Sequence, residues 1–194
     1  MSKDERNKWE ARYSHDEQEF RQPSPLLVKW IGEAPPGKAL DLAAGMGRNA
    51  FFLAERGYEV TAVDLSPTAI RRARKQARKK SLPIEWIEAD LDSYTLPGRY
   101  DLIVISFFYI NKKLAPAIME ALNAGGVLIY ENHMLPPQHP EEAAEHSFHF
   151  QPGELRALFP GLKLLHYEER QAGEKGGHPS WVAALVARKE GQII

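Results

Sequence analysis

The chain has 194 residues, 43% of them hydrophobic and 26% charged, with a formal net charge of -1. That length supports one well-filled core, and the near-neutral balance lacks the basic excess of a generic nucleic-acid or membrane-surface binder. With no cysteine, the chain has no disulfide framework, no thiolate metal site and no cysteine nucleophile.

The opening MSKDERNKWEARYSHDEQEF is charged and lacks the apolar segment of a secretory signal. No run approaches a membrane span in length, so we expect a cytoplasmic protein. The first thirty residues read as helical, interrupted at Pro23 and Pro25, with Trp9, Tyr13, Leu26, Leu27 and Trp30 as apolar anchors. APPGK (34–38) is a turn, and residues 38–44 form a short apolar strand carrying one acid, Asp41. A helix is expected over 49–56, stopped by Gly57. YEVTAVDLS (58–66) is a strand running into an acid, followed by a helix with Ser66 as N-cap and Pro67 at its first position.

IEWIEAD (84–90) is a third strand ending in an acid, and YDLIVISFFYI (100–110) a fourth. APAIMEALNAGG is a helix with a glycine stop, feeding a fifth strand over 126–132. Strands alternating with helices predict a doubly wound α/β fold with a mostly parallel sheet. LKLLHYEER (162–170) and SWVAALVARK (180–189) break the alternation. The turn-rich QAGEKGGHP between them is too short for a crossover helix, so the sheet ends in an antiparallel pair. We expect one domain over 1–194, with 1–34 as an N-terminal helical cap.

The turn after the first strand, GMGRNA, fits the dinucleotide pattern G-x-G-x-x-G/A. Ligands of open α/β sheets sit at the carboxyl ends of the strands, so this turn is a cofactor site whichever ligand it takes. Gly45 and Gly47 let backbone approach a ligand closely. Asp64, nineteen residues after Gly45, suits ribose hydroxyls under either reading. Three features separate the readings. Asp41 would repel a pyrophosphate but suits an ammonium, directly or through water. Asp90 suits the exocyclic amine of adenine. The terminal antiparallel pair is not needed by an ordinary dinucleotide domain.

Taken together, LDLAAGMGRNA, TAVDLS, IEADLDSY and ALNAGGVLIYEN resemble the successive motifs of class I S-adenosylmethionine-dependent methyltransferases. KWEARY with GRNAFFLAERGYEVTAVDLSPTAI is most similar to the small tellurite-resistance and thiopurine-type branch. The resemblance covers nearly the whole chain and implies a Rossmann-like methyltransferase fold: seven strands in the order 3-2-1-4-5-7-6, the last antiparallel. It implies S-adenosylmethionine as cofactor, with S-adenosylhomocysteine as product. By the same resemblance Asp41, Gly45 and Gly47 surround the methionyl part, Asp64 binds ribose, and Leu65 packs on adenine. Asp90 accepts from the adenine amine, the Leu91 amide meets the ring nitrogen, and Ser106 lies near the sulfonium. Arg48 and Tyr13 complete the expected cofactor set. Ala43 departs from the family, which often has glycine there; ordinary dihedrals are expected at that position.

On the acceptor side, His133 is the candidate catalytic residue, and HPEEAAEHSFHF (139–150) is a lid or a plain loop. His146 and His149 are spaced i, i+3 near Glu142 and Glu145 without a recognised ligand pattern, so no metal is expected. The tellurite-resistance branch carries a histidine–arginine pair before its last strand; here only Arg170 and His178 stand near that place. Trp9, Arg12 and Tyr13 either fold over the cofactor or pin a helix to the sheet. RRARKQARKK (71–80) reads as a solvated helix face, with no aromatic interleaving for base stacking. The expected function is methyl transfer to a small molecule by a monomer or homodimer, with no nucleic-acid or membrane partner. The rivals are a protein or RNA methyltransferase, a non-catalytic binding module and a dinucleotide oxidoreductase.

Overall fold

A computed structural model describes residues 3–15, 22–137, 148–175 and 178–191. Helix α1 (Lys3–His15) comes first, then α2 (Pro25–Trp30) and a single 3-10 turn (Ile31–Glu33). Strand β1 (Lys38–Leu42), α3 (Arg48–Ala54), β2 (Glu59–Asp64), α4 (Pro67–Lys79), β3 (Ile84–Glu88) and β4 (Tyr100–Ser106) follow. Then come α5 (Leu114–Ala121), β5 (Leu122–Met134), α6 (Glu154–Ala157), β6 (Lys163–Lys175) and β7 (His178–Arg188). The strands form one sheet in the order β3-β2-β1-β4-β5-β7-β6. The pairs β1–β2, β1–β4, β2–β3 and β4–β5 are parallel, and β7 runs antiparallel to both neighbours. This is the topology expected from the sequence.

Side-chain alternation divides the core between the two faces of the sheet. Leu40, Leu42, Ile103, Ile105, Leu128 and Tyr130 pack with Ile118, Leu155 and Phe159 on one side. Ala39, Val60, Ala62, Leu102, Val104 and Ile129 pack with Leu27, Leu53, Ile70 and Ala73 on the other. Helix α4 starts as predicted, with Pro67 at its first position and the Ser66 hydroxyl accepting from the Ala69 amide at 3.1 Å. Helix α2 starts in the same way, Ser24 accepting from the Leu27 amide at 3.3 Å.

Several boundaries differ from the sequence reading. The fourth strand stops at Ser106 rather than 110, because Phe107 adopts φ 58° and turns the chain out of the sheet. The fifth strand begins four residues earlier than expected and takes in the glycine pair, Leu122 already pairing with Tyr100 ahead of an irregularity in the β4–β5 register. The final hairpin absorbs most of the stretch read as turn, since Glu174–Pro179 and Lys175–His178 still pair. Helix α6 was not foreseen; four residues carry too little periodicity to register. Most of the segment 139–150, including His146, Glu142 and Glu145, lies outside the described residues.

Candidate functional site

The turn from β1 into α3 is built by hydrogen bonds to the end of β2. The Ala44 amide donates to the Val63 carbonyl at 3.0 Å, and the Gly45 amide donates to Asp64 Oδ2 at 2.7 Å. Asp64 Oδ1 accepts from the Ser66 amide at 2.9 Å. Burial raises the Asp64 pKa, against the pull of the Ser66, Gly45 and Leu65 amides. Asp64 thus organises the turn. Gly45 (φ 57°) and Gly47 (φ 87°) occupy the left-handed region, and so does Ala43, at φ 55°. The expectation of ordinary dihedrals at Ala43 is therefore wrong. The turn dictates the conformation, and alanine bears a cost of about 1–2 kcal/mol for its Cβ.

The two glycines serve different neighbours. A Cβ on Gly45 would stand 2.6 Å from the Tyr13 hydroxyl, so Tyr13 of α1 lies directly over the turn. A Cβ on Gly47 would collide with Cη2 of Trp86, a residue of β3 that is 6% exposed and tilted against Phe51 at 5.8 Å. Gly47 is needed for packing between layers, which local sequence could not disclose.

Asp41 sits in mid-strand, paired with Ala62 and Val104, and is 1% exposed. Burial pushes its carboxyl up to about 7; the Arg48 charge and the Ala50 amide pull it down, and Asp64 adds to the rise. Its Oδ2 has no hydrogen-bond partner among the described residues, an unusual condition for a buried carboxylate.

The other expected cofactor residues lie along the same strand ends. The Ala89 amide donates to the Asp64 carbonyl at 3.0 Å, tying the third strand's exit to the second's. Asp90 closes a tight turn there, its Oδ1 accepting from the Asp92 amide at 3.0 Å. Leu91 is buried, and Leu65 is half-buried. Ser106 Oγ accepts from Asn49 Nδ2 at 3.2 Å; Asn49 Oδ1 accepts from the Ser24 amide at 2.9 Å, and Ser24 Oγ donates to Glu131 Oε1 at 2.5 Å. This buried string beneath the site was missed in the sequence, where its members are 25 and more residues apart. A cavity of about 430 Å³ opens between the loop after β3 and α5. Of the expected cofactor residues only Leu91 lines it.

Beyond β4 the chain is held by β5. The Phe107 amide donates to the Glu131 carbonyl at 2.8 Å, and Tyr130 Oη donates to the Phe108 carbonyl at 2.7 Å while accepting from the Ile110 amide at 3.2 Å. Phe107 is thereby held out of the sheet beside α3 and β5. The Arg48 guanidinium lies 5.6 Å from its ring centroid, and His133 packs on it at 4.9 Å. His133 falls within β5, not just after it, and stacks at 5.5 Å on His149. Arg170 does not join this group; it pairs with Glu168 at 3.0 Å on the edge strand β6. The His178 side chain lies outside the described residues. No group of three metal-ligating side chains occurs among the described residues, and none of their helices is long and apolar enough to cross a membrane.

A family model described as tellurite resistance protein TehB matches residues 11–176. The chain belongs to the TehB family, within the S-adenosylmethionine-dependent methyltransferases. A probable S-adenosyl-L-methionine-dependent methyltransferase TehB of Haemophilus influenzae is 30% identical over 167 residues, covering 80% of this chain and 58% of the relative. A protein named hemagglutinin 1 from Eikenella corrodens is 29% identical over 193 residues, covering 93% of this chain and 64% of its own length. The chain therefore spans less than two thirds of the length of either relative. The crystal structure of Haemophilus influenzae TehB superposes with a TM-score of 0.74 at 24% identity, covering 94% of this chain and 67% of that one.

Proposed function

We propose that this chain binds S-adenosylmethionine at the Gly45 turn and transfers a methyl group to a small-molecule acceptor. The observation that carries the reading is Asp41, a buried carboxylate with an unpartnered Oδ2 beneath that turn. Such an atom fits a ligand bearing an ammonium group and disfavours one bearing a pyrophosphate. In this reading Asp64 accepts from ribose hydroxyls with the lone pairs its amide contacts leave over. Leu65 packs on adenine, Asp90 accepts from its exocyclic amine, and the Leu91 amide meets the ring nitrogen. Asp41, Gly45, Gly47, Arg48 and Ser106 surround the methionyl end, and Tyr13 covers the turn.

The cofactor, when bound, supplies a methyl group already activated by a sulfonium. The chain's own task is then alignment and exclusion of water. Phe107 offers an aromatic face that favours a cation and keeps the site dry. His133, packed on Phe107, accepts the proton of an acceptor that arrives protonated; a thiolate or free amine needs no such base. Support for a small acceptor comes from the absence of stacking aromatics in the basic helix α4.

Calorimetric titration with S-adenosylhomocysteine, with NADH run in parallel, tests the reading. Binding of the nucleoside alone is expected; binding of NADH alone would overturn it. In the same preparation His133→Ala should keep nucleoside affinity and lose most methyl transfer from labelled cofactor to a panel of thiols, amines and oxyanions. Unchanged transfer would remove His133 from the mechanism.

A further inference from the structure

Helix α1 is attached to the domain by polar contacts at both ends of its exchange with α4. Glu10 accepts hydrogen bonds from the Ser66 hydroxyl at 2.5 Å, from the Thr68 hydroxyl, and from the Thr68 amide at 3.4 Å. These donors form the first turn of α4, where free amides and the helix dipole favour a carboxylate. Burial pushes the Glu10 carboxyl up, but the Ser66 and Thr68 bonds and the Arg71 charge outweigh it and hold the pKa below its ordinary value. One turn along α4, Arg72 Nη1 donates at 2.6 Å to the carbonyl of Tyr13, one of the last carbonyls of α1, which have no partner within their own helix. An acid of α1 therefore satisfies the start of α4, and a base of α4 satisfies the end of α1.

The place of this exchange matters more than its strength. Tyr13, whose carbonyl Arg72 holds, is the residue whose hydroxyl lies over Gly45. Ser66, whose hydroxyl Glu10 holds, is the residue whose amide fixes Asp64 Oδ1. One residue thus orders both the acid at the second strand's exit and the helix that covers the turn. We infer that Glu10, with Arg72, is a positioning residue: it latches α1 across the nucleoside site and slows departure of the bound S-adenosyl ligand. The inference rests on the binding reading above.

Latching a cover acts on the off-rate more than on the on-rate. Glu10→Gln should raise the dissociation rate of S-adenosylhomocysteine, followed by stopped-flow fluorescence, on the order of tenfold, with the association rate within about threefold. Arg72→Gln should do the same, and Glu10→Asp should recover part of the loss. Without ligand, trypsin should cut after Arg12 faster in Glu10→Gln than in the parent. A dissociation rate equal to the parent's, whatever happens to the melting temperature, would reduce Glu10 to a helix cap and overturn the latch. If the parent itself fails to bind S-adenosylhomocysteine, the binding reading falls. The ligand-free cleavage comparison then still decides whether Glu10 holds α1, and equal cleavage would overturn that too.

Discussion

Asp41 is a carboxylate that the fold holds in the middle of a parallel sheet against its own preference for water. Its pKa, pushed up to about 7 by burial, makes the ligand-free protein sensitive to pH with a definite sign. Below about pH 4 the group is protonated folded or unfolded and contributes nothing. Between about pH 4 and 7 the unfolded chain ionises first, so the folded state loses ground, by at most about 1.4 kcal/mol per pH unit; above that the penalty is constant. A ligand ammonium beside Asp41 would restore its charge. Binding of S-adenosylhomocysteine at pH 6 should therefore release a proton, read from calorimetry in buffers of different ionisation enthalpy, and Asp41→Asn should abolish the release. Proton-neutral binding in the parent would separate Asp41 from the ligand. At this scale the sequence was readable in placement: Asp41 falls within the first strand, Gly45 in the turn after it and Asp64 at the end of the second strand, as expected. It was silent on Glu10, because the meaning of that residue is set by Ser66 and Thr68, more than fifty positions away.

Helix α4 changes most between sequence and structure. Its basic run reads as a solvated face, yet Arg72 holds α1, Arg74 donates to the Trp86 carbonyl at 2.6 Å, and Lys80 pairs with Glu55 at 2.6 Å. The helix and its capping residues were legible from the Ser66–Pro67 start and the Ile70, Ala73, Ala77 stripe. The employment of its cations was not, since that depends on which elements the fold lays beside it. The contact of α3 with β3 makes the same point. Gly47→Ala should cost roughly 2–4 kcal/mol, from the left-handed backbone and from overpacking against Trp86. Adding Trp86→Leu should recover part of that cost, with a coupling of about 0.5–3 kcal/mol in urea denaturation of the two single variants and the double. Strictly additive losses would mean that Trp86 is not what Gly47 makes room for. Strand ends were the least legible feature, because Phe107 leaves the sheet through a backbone conformation that its apolar neighbours do not announce.

Across the whole molecule, strand order and the reversed β7 came through the sequence because alternation of strand and helix leaves few topologies open. What alternation could not convey is how the parts of that topology are tied. The Ser24–Asn49–Ser106 and Ser24–Glu131 contacts join the start of α2 to α3, β4 and β5. Ser24 precedes its helix and belongs to no regular element, yet it is 1% exposed and its amide is bonded to Asn49. In hydrogen–deuterium exchange that amide should behave as a member of the central sheet, protected to about the level of the β4 and β5 amides and released only when that unit opens. Exchange at the pace of an ordinary loop would mean that α2 swings free while the sheet stays closed. Slow exchange would make a residue outside every helix and strand the most economical reporter of when this domain comes apart.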